Sequence, residues 1–183
     1  MKICATRLDG VILFLPSPHR DERGVFTRTF DSAIAHDAGL DPAGFVQDSQ
    51  SRSHRGVLRG LHGRSGPGES KLVRCAHGAV HDVVVDARPG SATFGAHDVF
   101  RLDDTDFAHL YVPAGFLHGF QALTDVADVC YRIDRPHDPA QHLGVRYDDP
   151  ELGIRWPLPV SAISPRDAAA GSFTRVCCWP ERA

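Results

Sequence analysis

Apolar stretches in this chain never run long: segments rich in Val, Ile, Phe and Tyr break off after four to eight residues at clusters of Gly, Pro and Asp. Such punctuation leaves no room for long amphipathic helices. It predicts strands over residues 11–15, 25–30, 45–49, 71–75, 79–86, 108–112, 119–122 and 129–133. Turn signals fall at 64–68, 89–91, 113–115 and 135–139. Helical signal is confined to 32–38 and 165–170, the latter with Ser164 as a capping residue. Many short strands at turn spacing predict an all-β fold, a closed barrel or a double-sheet jelly roll, rather than βαβ units. Neither a G-x-G-x-x-G nor a G-x-x-x-x-G-K-[ST] motif is present, so a nucleotide has to be held by side chains.

A chain of 183 residues can bury a real core and is short for two ordinary domains, so one domain over residues 1–183 is expected. With 20 basic against 23 acidic residues the net charge is -3, which excludes sequence-independent attraction to nucleic acid or anionic membrane. Any anion site must be local. The early apolar run at 11–15 is shorter than a signal-peptide core and stops at Pro16, implying a soluble, cytoplasmic protein. Five cysteines (Cys4, Cys75, Cys130, Cys177, Cys178) make an odd count without C-x-x-C, which reads as reduced thiols.

The chemistry-bearing residues concentrate between Arg55 and Arg74. The segment Arg55-Gly-Val-Leu-Arg-Gly-Leu-His62, followed by Lys71-Leu-Val-Arg74, places one imidazole among cations on β-patterned backbone. An imidazole titrates near neutrality, which suits general acid or base work beside an anionic substrate. A second histidine, His118, follows the tight turn in Pro113-Ala-Gly-Phe-Leu-His-Gly-Phe120, a pattern that resembles the second cupin motif. The first cupin motif needs His-x-His, whereas His62-Gly63-Arg64 has arginine at the second position. A three-ligand metal site from His62, Glu69 and His118 stays open as an alternative, as in a metal-dependent cupin isomerase or oxygenase.

Further motifs follow in order: Asp21-Glu-Arg-Gly-Val-Phe26, Gln47-Asp-Ser-Gln-Ser-Arg-Ser53, Asp82-Val-Val-Val-Asp-Ala-Arg88, Ser91-Ala-Thr-Phe-Gly95, Tyr131, Asp148-Asp-Pro150, Ile154-Arg-Trp-Pro157 and Ile163-Ser-Pro-Arg-Asp167. Together with the three above, this series from about Arg20 to Asp167 resembles the dTDP-4-dehydrorhamnose 3,5-epimerases. The resemblance implies a cupin-type double-sheet jelly roll with a few short helices, forming a homodimer. It implies no metal and no cofactor, and epimerisation at C3 and/or C5 of a dTDP-linked 4-keto-6-deoxyhexose. By position, His62 matches the base and Asp167 the carboxylate that orients it. Lys71 matches the cation near the keto oxygen, and Tyr131 the acid on the opposite face. Arg23, Phe26, Gln47, Ser49, Arg59, His118, His137 and Arg166 match substrate-binding positions. The chain departs from that pattern at Arg28, where an acidic residue is usual, and at Gly63-Arg64, where Tyr-Gln is usual. Ser49 replaces asparagine, Glu69 replaces glutamine, and a second tyrosine is lost near His137. Those changes are expected to add positive charge at the pocket edge and to keep open a catalytically inactive nucleotide-sugar binding module as another alternative.

Overall fold

In the computed structural model, which describes residues 1–177, strands dominate. In chain order they are β1 (Lys2–Ala5), β2 (Ile12–Leu15), β3 (His19–Asp21), β4 (Gly24–Phe26), β5 (Gln47–His54), β6 (Leu58–Arg64), β7 (Lys71–His77), β8 (Ala79–Asp86), β9 (His97–Asp103), β10 (His109–Val112), β11 (Phe116–Ala122), β12 (Val126–Ile133) and β13 (His142–Gly144). Three short helices accompany them: α1 (Ser32–Asp37), α2 (Pro165–Ala168) and α3 (Phe173–Cys177). A six-stranded sheet runs β1-β2-β10-β7-β12-β5, and a five-stranded sheet runs β13-β6-β11-β8-β9. β3 and β4 pair only with each other, as a separate hairpin. From β5 to β8 and from β9 to β13 successive strands alternate between the two sheets, while β1–β2 and β8–β9 are hairpins within one sheet; neither sheet closes on itself, giving the double-sheet jelly roll rather than the closed barrel.

Side-chain alternation explains which residues meet. On β8, Val80 and Val84 face the other sheet and pack with Val73, Leu110 and Val129. The intervening Val83 and Val85 face outward, where Val145, Leu152 and Phe173 of the C-terminal segment cover them. A strand buried on both faces reads as a run of apolar residues without alternation, as Val83-Val84-Val85 does, with His81, Asp82 and Asp86 as the polar exceptions in 79–86. The covering segment thus gives the five-stranded sheet a second apolar layer.

Several elements differ from the sequence expectation. β6 and β9 were not among the expected strands: β6 carries Gly60 and Gly63, and β9 carries three charged residues, so neither has strong β propensity. The predicted 45–49 strand begins at Gln47 and continues to His54 through polar residues, paired along its length with β12. The predicted 25–30 strand ends at Phe26. Asp31 then caps α1, accepting from the backbone N–H groups of Ala33 and Ile34. No described helix is long and apolar enough to cross a membrane. Cys4, Cys75 and Cys130 are free thiols, burial pushing Cys75 up to about 12; Cys178 lies outside the described residues.

Candidate active site

Between the two sheets a cavity of about 520 Å³ is lined by His62, Lys71, Tyr131 and Asp167, and also by Arg59, His118 and Arg166. All four residues matched to catalytic roles therefore share one space, though they come from β6, β7, β12 and α2.

His62 enters from the five-stranded sheet, and its neighbour Leu61 turns to the outer apolar layer. The strand geometry there depends on Gly60. Its φ is +134°, and a Cβ would lie 2.5 Å from Cα of Gly119 on β11. Only glycine lets these backbones come so close. Below them, Ser164 caps α2 by accepting from the Asp167 N–H at 3.0 Å, with Pro165 at the first helical position. That short helix aims the buried Asp167 carboxylate at β6. Its Oδ1 lies 2.8 Å from His62 Nε2, and its Oδ2 accepts from the Gly60 N–H at 3.4 Å.

A carboxylate can only accept, so the proton of neutral His62 resides on Nε2 and leaves Nδ1 as the basic nitrogen. Burial lowers the His62 pKa below its ordinary value and outweighs the raising effect of Asp167; Lys71 and His118 lower it further. His62 is therefore a neutral imidazole at neutral pH, able to take a proton.

Tyr131 faces it from the six-stranded sheet. Burial raises the pKa of its phenol, keeping the proton on oxygen, and the hydroxyl lies 3.4 Å from Ser51 Oγ. Its ring makes an edge contact with that of His118 across the sheets, at 6.2 Å between centroids. His118 is itself held by Asp82, 2.9 Å from Nε2 to Oδ2, deep in the core. Lys71 reaches the cavity with its ammonium 2.9 Å from Glu69. Arg59 lies at the exposed rim, donating to Ser53 Oγ and to the Arg52 carbonyl, and Arg166 is exposed on α2.

The other expected binding residues fall outside this lining. Gln47 and Ser49 stand across from Ile133 and Tyr131 in the β5–β12 register, and so share the face of those cavity residues. Gln47 donates to Ser49 Oγ and accepts from the backbone N–H of His137, making one small cluster of the three. Arg23 and Phe26 lie on the exposed β3–β4 hairpin, where Arg23 pairs with Asp21 and Phe26 is 75 % exposed.

The charge expected at the pocket edge is compensated: Arg28 pairs with Asp31, and Arg64 with Glu69. Glu69 commits its carboxylate to Arg64 and Lys71, and among the described residues no three His, Cys, Asp or Glu side chains are grouped to hold a metal ion. The metal alternative thus lacks its ligand set there.

Sequence reasoning missed His142, whose ring lies 5.0 Å from that of His62. Burial, then the neighbouring His62 and Arg166, lower its pKa to about 4, so it too is neutral. Its segment follows Pro139 in polar surroundings and shows no strand pattern; only the β13–β6 pairing brings it to the cavity.

The sequence model of the dTDP-4-dehydrorhamnose 3,5-epimerase family matches residues 5–175. A dTDP-4-dehydrorhamnose 3,5-epimerase of Methanothermobacter thermautotrophicus is 44% identical over 153 residues, 84% of this chain and 82% of the relative. Among solved structures, a 4-keto-6-deoxy sugar epimerase from the novobiocin biosynthetic gene cluster of Streptomyces spheroides superposes with a TM-score of 0.91 at 40% identity, covering 96% of this chain and 88% of that one. A Legionella pneumophila dTDP-6-deoxy-D-glucose-3,5-epimerase in complex with dTDP-4-keto-L-rhamnose gives 0.90 at 39%, covering 94% and 93%. With the family model spanning nearly the whole fold, and with His62, Asp167, Lys71 and Tyr131 gathered in one cavity, the chain belongs to the dTDP-4-dehydrorhamnose 3,5-epimerase family.

Proposed function

We propose that this protein epimerises C3, C5 or both of a dTDP-linked 4-keto-6-deoxyhexose by removing and returning a proton next to the ketone. The observation that carries the reading is the opposition of His62 and Tyr131, a neutral base and a protonated phenol on facing sheets of one cavity. Nδ1 of His62 takes the proton α to the carbonyl, and Asp167 stabilises the imidazolium that forms. Negative charge moves to the carbonyl oxygen, where the Lys71 ammonium stabilises the enolate; one such preorganised donor contributes on the order of 3 kcal/mol. Tyr131 protonates the carbon from the other face, inverting it. Arg59 and Arg166 at the rim suit the diphosphate, since guanidinium forks match its oxygens.

The working unit is a homodimer in the cytoplasm. Exposed Val25 and Phe26 on the free hairpin, and the unpaired edge of β5, make a surface that a second copy can cover, bringing Arg23 and Phe26 to a neighbouring cavity. Free thiols at Cys4, Cys75 and Cys130 suit a reducing compartment.

Incubation with dTDP-4-keto-6-deoxyglucose in deuterated water tests the chemistry: deuterium is expected at the inverted carbon or carbons. Its absence from both C3 and C5 sinks the assignment. A monomeric mass by light scattering sinks the homodimer.

A further inference from the structure

Lys71 does not stand alone. Its ammonium lies 2.9 Å from Glu69 Oε1, and Glu69 Oε2 lies 3.5 Å from the guanidinium of Arg64. The three side chains are largely shielded, at 12%, 19% and 10% exposure for Lys71, Glu69 and Arg64. Arg64 is held on its other sides, donating from Nε to Gln141 Oε1 at 2.6 Å and from a terminal nitrogen to the Pro136 carbonyl at 2.8 Å. The group sits where the chain leaves β6 of one sheet and enters β7 of the other, so it links the strand of the base to the strand of the lysine.

A carboxylate this close to an ammonium has two effects of opposite value. It fixes a flexible lysine stem at one position, which lowers reorganisation during the reaction. It also cancels much of the positive field the lysine casts into the cavity, the pair being neutral overall. A second cation on the far side of the carboxylate removes the conflict, because Arg64, Glu69 and Lys71 together carry one net positive charge. Glu69 stays ionised within the group: burial works to raise its pKa, and Lys71 and Arg64 more than reverse that.

We infer that Arg64 is a positioning residue for the reaction, acting through Glu69 to hold the Lys71 ammonium in place without letting Glu69 neutralise it. The inference rests on the epimerase reading above. Arg64 does not line the cavity, so any effect of its charge is indirect.

The test compares Arg64→Gln, Glu69→Gln and the double variant by deuterium uptake and steady-state kinetics on dTDP-4-keto-6-deoxyglucose, with folding checked by thermal melting. Arg64→Gln leaves Glu69 unbalanced, and its kcat is expected to fall roughly 10- to 100-fold with KM changed less than about threefold. Glu69→Gln frees the lysine with its charge intact and is expected to lower kcat only about threefold to fivefold. Adding Glu69→Gln to Arg64→Gln should then raise kcat about tenfold over the single Arg64 variant, a rescue that a purely structural role does not produce. A double variant as slow as Arg64→Gln, or slower, overturns the inference. Arg64→Lys keeps the charge while giving up the guanidinium fork on Gln141 and Pro136, and should lose less than about tenfold; a folded Arg64→Lys that loses about 100-fold overturns it even where Arg64→Gln does not fold. Absence of exchange by the wild type fells the epimerase reading itself, a result distinct from exchange by the wild type without rescue.

Discussion

Burial works against the charge of His62 while Asp167 works for it, and burial wins. The base is thereby ready at neutral pH, and its proton uptake is displaced below the ordinary histidine value. The acid limb of kcat/KM, which reports protonation of the imidazole, should have its midpoint below 6.5; a fall centred above 6.5 contradicts this. His62→Ala should lose exchange at both carbons. Asp167→Asn cannot stabilise the imidazolium and should reduce kcat by roughly 10²- to 10⁴-fold while leaving the fold intact, as checked by thermal melting. Tyr131→Phe separates the two half-reactions: exchange into the substrate should persist while inverted product, followed by NMR, largely disappears. The four positions proposed to act in catalysis could be picked out in the sequence because each sits inside an ordered series of motifs, and the fold brings them to one cavity. His142 could not be, since a histidine in a polar stretch gives no signal, and Asp82, though it opens one of those motifs, showed its pairing with His118 only through the cross-strand register.

At the level of elements, the β6–β11 contact decides whether the base and its carboxylate meet. Gly60 combines a backbone conformation closed to other residues with a Cβ position 2.5 Å from the opposite chain, while its N–H donates to Asp167. Gly60→Ala should therefore destabilise the protein by roughly 2–4 kcal/mol, read as a lower melting temperature, and should lower kcat in whatever folded fraction remains. A melting temperature within error of wild type contradicts it. The helix that presents Asp167 was legible from Ser164-Pro165, a cap followed by a proline. β6 was legible as chemistry on β-patterned backbone but not as a bounded strand, because glycines that permit close approach also weaken β propensity. β13 owes its existence to pairing alone, three residues laid against β6 with no signal of their own.

For the whole molecule, alternation of short apolar runs with turns was enough to predict an all-β fold, closed barrel or double-sheet jelly roll, and the family resemblance chose the jelly roll. The apolar layer beneath the five-stranded sheet was harder to see, because its covering residues are scattered through irregular chain between Val145 and Phe173. The core also makes stability sensitive to acid. His109 is buried, its Nε2 has no hydrogen-bond partner, and burial, aided by Arg74, lowers its pKa to about 4. The unfolded chain binds that proton near pH 6.5, so between 6.5 and 4 it holds more protons than the folded chain and stability falls as pH drops. His109 alone should remove about 3 kcal/mol between neutrality and pH 4, measurable by urea denaturation across pH; an unchanged midpoint over that range contradicts it. The placement of proton acceptor and proton donor on separate sheets has a consequence for how such enzymes diverge. Lys71 shares the six-stranded sheet with Tyr131 while His62 stands on the other, so under the proposed mechanism a lineage can alter or abandon inversion by changes around β12 and leave His62, with Asp167 on α2, untouched.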